Sequence, residues 1–173
     1  MKVLVVSDVH GERKRLEEIL KTHEDANLVI SLGDSELKQK FLQDRDIIAI
    51  KGNYPFDKGF AYEHLMDIKG VNTLLVHGHR HKVRSGISRL YHDMVGKNAT
   101  LALFGHTHQM TFEHCQGRFL LNPGSVAQSR GMETESYLTM KISDEAIELI
   151  WHDARLHHSI GEAKIDRKTM KGA

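Results

Sequence analysis

The sequence is poor in several residues that mark particular protein classes. It has one cysteine in 173 residues. An intrachain disulfide is therefore excluded, and we expect Cys115 to be a half-buried strand thiol in a reducing, cytoplasmic protein. The two prolines provide no proline-rich linker. The apolar runs are short, and the first one (residues 3–6) is far too short to cross a bilayer, so no signal peptide or membrane partner is expected.

Excess charge is also missing. Lysine and arginine number 24 against 23 aspartates and glutamates, which gives a formal net charge of +1. The sequence has no basic, aromatic-rich stretch of the kind that binds long nucleic acid, so that partner is not expected. A hydrophobic content of 40% and a charged content of 27% are typical of a globular protein. We expect a single domain over residues 1–155 and a flexible, solvated basic tail over residues 156–173.

The first third of the chain alternates between strand and helix patterns. An apolar run at 3–6 is followed by an amphipathic segment at 12–23, where Leu16, Ile19 and Leu20 are spaced as on one helix face. A second strand-like run at 27–32 precedes a predicted helix at 35–43, and a third run follows at 46–50. Strands that alternate with helices predict parallel pairing through right-handed crossovers.

The remainder of the chain is mostly strand in pattern. Residues 59–68 and 71–76 predict an antiparallel hairpin, and residues 87–95 predict a helix. Further strands are predicted at 100–104, 109–114, 117–121, 137–142 and 146–151. Together these patterns predict an α/β fold in which two packed sheets are flanked by helices on their outer faces.

Polar side chains follow five of these apolar runs. They are Asp8 and His10, Asp34, Asn53, His77 and His79, and His106 and His108. Side chains at positions i and i+2 of an extended chain point the same way, so each pair can face one point. Taken singly, the histidines could be solvated loop residues, and Asp8 could be a helix N-cap. Five runs that end in residue types typical of borderline metal ligands favour a metal site at the carboxyl ends of the strands.

These five polar blocks resemble a known family. In order they are Asp8-Val9-His10, Gly33-Asp34, Gly52-Asn53, His77-Gly78-His79 and Gly105-His106-Thr107-His108. The chain resembles the calcineurin-like metallophosphoesterases, and in particular their small bacterial and archaeal phosphodiesterase branch. The resemblance extends from Asp8 to about Trp151. It implies the four-layer metallophosphoesterase fold, a two-sheet β-sandwich flanked by helices.

The resemblance also implies a dinuclear metal centre. Asp8, His10 and His108 would bind the first metal, Asn53, His77 and His106 the second, and Asp34 would bridge the two. Imidazole and carboxylate ligands without thiolate favour a transition metal over Mg or Ca, and we expect Mn, with Ni, Fe, Co or Zn as alternatives. The catalytic residues implied are Asp34, Asn53, His77 and His79.

One position departs from the family pattern. Many members have a histidine after the Gly-Asn block that protonates the leaving group, whereas this chain has Tyr54 there. A phenol with a pKa near 10 is a weak proton donor at pH 7. We expect Tyr54 to pack or line the pocket, and His79 is either a replacement acid or a structural histidine. The Asn122–Ser125 block is expected to shape the pocket rim.

These expectations favour an enzyme, a metal-dependent phosphodiesterase in which an activated water attacks a small phosphodiester or nucleotide-like substrate. A phosphomonoesterase or a nuclease is the alternative within the enzymes. Another alternative is a non-catalytic scaffold, because a eukaryotic retromer subunit resembles the same branch and serves mainly to bind partners. The sequence leaves the oligomeric state open, a homo-oligomer included.

Overall fold

The computed structural model describes residues 1–131 and 134–170. The elements are, in order, β1 (Lys2–Val6), α1 (Arg13–Thr22), β2 (Leu28–Ser31), α2 (Gln39–Gln43), β3 (Ile47–Ala49), β4 (Glu63–Ile68), β5 (Val71–Val76), α3 (Ser88–Gly96), β6 (Leu101–Phe104), β7 (Met110–Cys115), β8 (Arg118–Pro123), β9 (Ser136–Ile142), β10 (Ala146–Asp153) and β11 (Ser159–Asp166). Two 3₁₀ turns occur at 83–85 and 167–169. No helix within the described residues is long and apolar enough to span a membrane.

The strands form two sheets. The six-stranded sheet has the order β11-β10-β9-β1-β2-β3, and the five-stranded sheet has the order β4-β5-β6-β8-β7. Strands β1, β2 and β3 run parallel, as do β5, β6 and β8. The parallel strands within each sheet therefore end at the same edge. The predicted two-sheet α/β sandwich is confirmed.

Strand β1 explains why the apolar runs are continuous rather than alternating. Val3 and Val5 belong to the core between the two sheets, whereas Leu4 and Val6 pack with Leu16 of α1 on the outer face. All five side chains are completely buried. A strand that is buried on both faces needs apolar residues at every position. Each such side chain stabilises the fold by about 1.5–3 kcal/mol relative to an exposed one.

Helix α3 covers the outer face of the five-stranded sheet. Leu90 and Met94 of this helix pack against Ala102 and Phe104 of β6. The other β6 side chains, such as Leu103, belong to the core between the sheets. The molecule thus has four layers, in the order helix, sheet, sheet and helix.

Three sequence-based boundaries were wrong. The first strand of the predicted hairpin begins at Glu63 rather than at residue 59. Helix α2 begins at Gln39 rather than at residue 35, because Asp34 and Glu36 have φ angles of 46° and 54°, which a right-handed helix cannot contain. The expected flexible tail at 156–173 contains β11, which pairs with β10. In this strand Ala163 and Ile165 alternate with charged residues, and Ile165 is buried in the core. The many charged residues of the segment obscured this alternation of apolar and charged side chains. Residues 171–173 of the expected tail lie outside the described residues.

Candidate metal centre

The carboxylate of Asp8 meets two imidazoles at the end of β1. His108 Nε2 lies 3.1 Å from Asp8 Oδ1, and His10 Nε2 lies 3.8 Å from the same oxygen. The two Nε2 atoms are 3.3 Å apart. These donor atoms all lie within 4.8 Å of one another, so one cation could contact all three residues. They are the residues predicted to bind the first metal.

A second group of donors adjoins the first and also contains Asp8. His77 Nε2 lies 3.4 Å from Asp34 Oδ2 and 3.8 Å from Asp8 Oδ1. All three side chains are almost fully buried. Because Asp8 belongs to both groups, the two groups lie side by side around one carboxylate.

Hydrogen bonds at the outer ring nitrogens orient the three imidazoles. The Nδ1 atoms of His77 and His108 lie 2.7 Å from the carbonyl oxygens of Leu32 and Gln128, and Nδ1 of His10 lies 2.7 Å from Glu36 Oε1. These oxygens only accept, so each Nδ1 carries the proton and donates it. In a neutral ring the lone pair is then on Nε2, which is the nitrogen that faces the centre. This is the arrangement that holds histidine ligands in metal sites.

The backbone around the centre is in an unusual conformation. Five of the predicted ligands have positive φ angles, namely Asp8 (51°), His10 (44°), Asp34 (46°), His106 (68°) and His108 (61°). Each such residue costs on the order of 1–3 kcal/mol, and strain of this kind is concentrated at functional sites. The strained turns aim side chains from different strands at one point.

Glycines let these turns approach one another. A Cβ atom on Gly52 would overlap the Asp34 carboxylate, and a Cβ atom on Gly105 would overlap Ser7 Oγ. The glycine that precedes a ligand in these two blocks therefore makes room for the neighbouring loop.

The two buried carboxylates make the centre attractive to positive charge. Burial alone would raise the pKa of Asp34, but its contact with His77 and the hydrogen bond from the Tyr54 backbone N–H lower it to about 2. The pKa of Asp8 is also lowered despite burial, mainly by His108 and His77. Burial opposes protonation of His77, yet the two carboxylates raise its pKa. Both carboxylates are therefore ionised at neutral pH.

The other predicted site residues lie around these two groups. The His106 backbone N–H donates to Asp8 Oδ2 (3.0 Å), and its ring lies 5.1 Å from that of His77. Burial and the nearby His77 lower the pKa of His106 to about 4. The His79 ring lies 5.4 Å from that of His77. Asn53 is exposed, although the adjacent Tyr54 backbone N–H donates to Asp34 Oδ1 (2.8 Å).

Sequence reasoning missed some supporting residues and misplaced others. Glu36, which accepts from His10, lies two residues after Asp34 and carries no motif of its own. Ser7 Oγ donates to Asp8 Oδ2 (2.6 Å). A serine next to a ligand is too common for the sequence to indicate this role. The Asn122–Ser125 block was expected at the rim but is buried. Asn122 donates to the Gly105 carbonyl (2.9 Å) and Ser125 to the Asp8 carbonyl (2.8 Å), so the block holds the ligand loops from beneath.

The donor atoms fit a divalent transition metal. Asp8 Oδ1 and His77 Nε2 are buried and make no hydrogen bond to any described residue. Buried polar atoms without partners are rare in folded proteins and call for an explanation such as an ion. The donors are imidazole nitrogens and carboxylate oxygens, the ligands that Mn, Fe, Co, Ni and Zn accept.

Comparison with known proteins identifies the family. Residues 1–145 match the model of the calcineurin-like phosphoesterase superfamily domain. The chain belongs to the calcineurin-like phosphoesterase superfamily. The resemblance carried by the five sequence blocks is therefore confirmed. The activity of this family is metal-dependent hydrolysis of phosphate esters.

Similar proteins include phosphoesterases and Vps29. The chain is 32% identical over 154 residues to YsnB of Bacillus subtilis, a probable metallophosphoesterase, covering 88% of this chain and 91% of YsnB. A predicted phosphoesterase from Streptococcus pneumoniae has a TM-score of 0.87 at 24% identity, covering 96% and 97% of the two chains. Vps29 of Entamoeba histolytica, solved with Zn²⁺, has a TM-score of 0.77 at 20% identity, covering 96% and 99%. At these identities the two structures establish the shared fold alone.

Proposed function

We propose that this calcineurin-like phosphoesterase is a phosphodiesterase that uses two divalent transition-metal ions. The observation that carries the proposal is the pair of donor groups that share the buried Asp8. Asp8, His10 and His108 would hold one ion, and Asp34 and His77 would hold the other together with Asp8. In the family pattern, Asn53 and His106 complete the second set and Asp34 is the bridge. When bound, two such ions activate a water as nucleophile and offset the charge that develops on the phosphoryl oxygens.

The charge of the ligand set favours a phosphate substrate. Two divalent ions carry four positive charges, and Asp8 and Asp34 return two negative ones, so a loaded centre keeps a net positive charge. A phosphodiester anion is attracted to such a centre. The buried imidazoles add ligands without adding negative charge.

Tyr54 and His79 lie beside the centre, where a residue could protonate the leaving group. Tyr54 stands where many family members have an acid, and its ring packs against Phe56, with a centroid distance of 5.5 Å. His79 Nδ1 is buried and has no hydrogen-bond partner among the described residues. We propose His79 as the nearest replacement proton donor to the leaving oxygen, but burial and the nearby His77 lower its pKa, so it is a weak donor at neutral pH. Asp34, Asn53 and His77 would act in the metal set.

A non-catalytic scaffold of the same fold is the second candidate, because a shared fold does not by itself establish catalysis. What favours the enzyme is that all seven positions of the family pattern carry residue types able to bind a metal, and that the donor atoms of five of them lie in the two groups that share Asp8. Ligands of this mixed N and O type fit Mn, which we propose as the working metal.

The experiment is hydrolysis of bis(p-nitrophenyl) phosphate by purified protein with added Mn²⁺, with p-nitrophenyl phosphate assayed in parallel. The proposal expects metal-dependent release of p-nitrophenolate, faster from the diester than from the monoester, and loss of activity in Asp8→Asn. A faster monoester would favour the phosphomonoesterase. If neither ester is hydrolysed with Mn²⁺, Ni²⁺, Co²⁺, Fe²⁺ or Zn²⁺, the scaffold is the better account.

A further inference from the structure

A cavity of about 290 Å³ adjoins the metal centre. Its lining includes His77, a candidate ligand, together with His79, His81, Arg80 and Tyr62. The cavity and the centre therefore share the His77 wall. Pockets for small molecules begin at about this volume, so the cavity suits one ring system rather than a large ligand.

Tyr62 provides an aromatic surface in this cavity. It is 43% exposed, although it lies just before β4 in a folded part of the chain. The Arg80 guanidinium carbon lies 4.5 Å from the ring centroid, and Lys51 Nζ lies 5.2 Å from it. The ring centroid is 6.0 Å from that of His79, which is in turn 5.4 Å from that of His77. Because both cations lie over the ring, a ligand would meet the part of the ring that is left exposed and the Arg80 guanidinium that covers it. Sites that combine cations with an aromatic ring are a common way of binding a base and its phosphate.

Two histidines of the cavity have an unused hydrogen-bonding atom. Nδ1 of His79 and Nδ1 of His81 are buried and have no hydrogen-bond partner among the described residues. His81 Nε2 lies 3.2 Å from Asp93 Oδ2, so Nε2 carries the proton and Nδ1 is an acceptor. A ligand that donates an N–H group would satisfy it.

The acidic residues of the cavity are compensated by a lysine. Lys97 forms ion pairs with both Asp93 and Glu63. Arg80 and Lys51, which contact the Tyr62 ring, add two positive charges beside these two carboxylates. The balance at the cavity mouth is therefore cationic, which suits a ligand that also carries a phosphate.

We infer that this cavity is a subsite for a heteroaromatic ring of the substrate, which makes nucleoside phosphodiesters the substrate class. The ligand ring packs against Tyr62 and the Arg80 guanidinium that lies over it. Its N–H groups donate to His81, while the phosphate lies at the metal centre. The inference rests on the proposed function for the position of the phosphate.

The test compares two ligands that differ only in the base. Thymidine 5′-phosphate and 2-deoxyribose 5-phosphate are titrated into the full, Mn-loaded chain by calorimetry. Wild type is expected to bind the nucleotide about tenfold more tightly, because stacking of one base is typically of that size. This ratio should fall to about one in Tyr62→Ala and persist in Tyr62→Phe, which keeps a ring.

Matched controls come from other exposed rings. Phe112, on the edge strand β7 of the same sheet, is 41% exposed, and Phe56, beside Tyr54, is 73% exposed. Neither Phe112→Ala nor Phe56→Ala should change the ratio, and thermal melts establish that each variant is folded. A wild-type ratio near one, a ratio unchanged in Tyr62→Ala, or a ratio lost in Phe56→Ala would each overturn the inference. If the same wild-type preparation binds the two ligands with the expected ratio but hydrolyses no diester, the proposed function alone has failed.

Discussion

Replacing Glu36 should weaken metal binding at one donor group of the centre more than at the other. Glu36 Oε1 accepts a hydrogen bond from His10 Nδ1 at 2.7 Å. His77 and His108 are oriented by backbone carbonyls, which a substitution does not remove. Glu36→Ala therefore frees the His10 ring while leaving the other two imidazoles held.

The expected effect is greatest at the first metal. Loss of an oriented acceptor behind a histidine ligand typically weakens metal binding about 10- to 100-fold, or about 1.4–2.7 kcal/mol. The second group, which consists of Asp8, Asp34 and His77, does not contain His10. Because Asp8 belongs to both groups, part of the effect should carry over to the second step, but that step should weaken several-fold less than the first. Glu36→Gln retains an acceptor oxygen and should be affected less than Glu36→Ala.

The assay is calorimetric titration of the metal-free chain with Mn²⁺, which resolves two binding steps of different affinity. Glu17→Ala is the matched control, because Glu17 is a similarly exposed carboxylate whose contacts are Arg13 and Arg45 at the surface. Two unchanged steps in Glu36→Ala would refute the orienting role. Equal weakening of both steps would refute the division into two groups.

Three further outcomes are expected. Asp34→Asn should abolish nearly all diester hydrolysis and lower metal content; full metal content with near wild-type rates would contradict its place in the centre. Without the usual acid at position 54, hydrolysis rates should fall steeply as leaving-group pKa rises across a diester series, and Tyr54→His should flatten that dependence; a flat wild-type series with chemistry limiting would mean that another acid is in place. Burial lowers the pKa of His23 from 6.5 to about 4. The unfolded chain then binds more protons between these pH values, so the free energy of unfolding should decrease as pH falls from about 6.5 to about 4. His23→Gln should reduce this decrease in thermal melts, and an unchanged pH dependence would refute it.

The fold could be predicted because its central strands, such as β1 and β6, are buried on both faces. The apolar run of β1 is continuous because one face of the strand packs into the core between the sheets and the other packs against α1. Such runs are visible without knowing which strand pairs with which. The failures have local causes: the left-handed conformation of Glu36 delays α2, and the charged residues of β11 concealed the alternating apolar face with Ile165.

The composition of the candidate site could also be predicted, but its internal arrangement could not. The resemblance to the family implies the group Asp8, His10 and His108, and their donor atoms do converge. That Asp8 also joins the second group depends on the φ angles of Asp8 and Asp34, which the residue types do not reveal. Glu36 becomes recognisable only when its distance to His10 is known. The role of Asn53 as a ligand stays a prediction.

The measurement that tests the account most directly is the number of Mn²⁺ ions bound per chain, determined by mass spectrometry of the metal after equilibrium dialysis. Two donor groups that share Asp8 predict about two ions in wild type, about one in His108→Ala and in His77→Ala, and almost none in Asp8→Asn. A wild-type chain that binds no transition metal under these conditions would contradict the dinuclear centre.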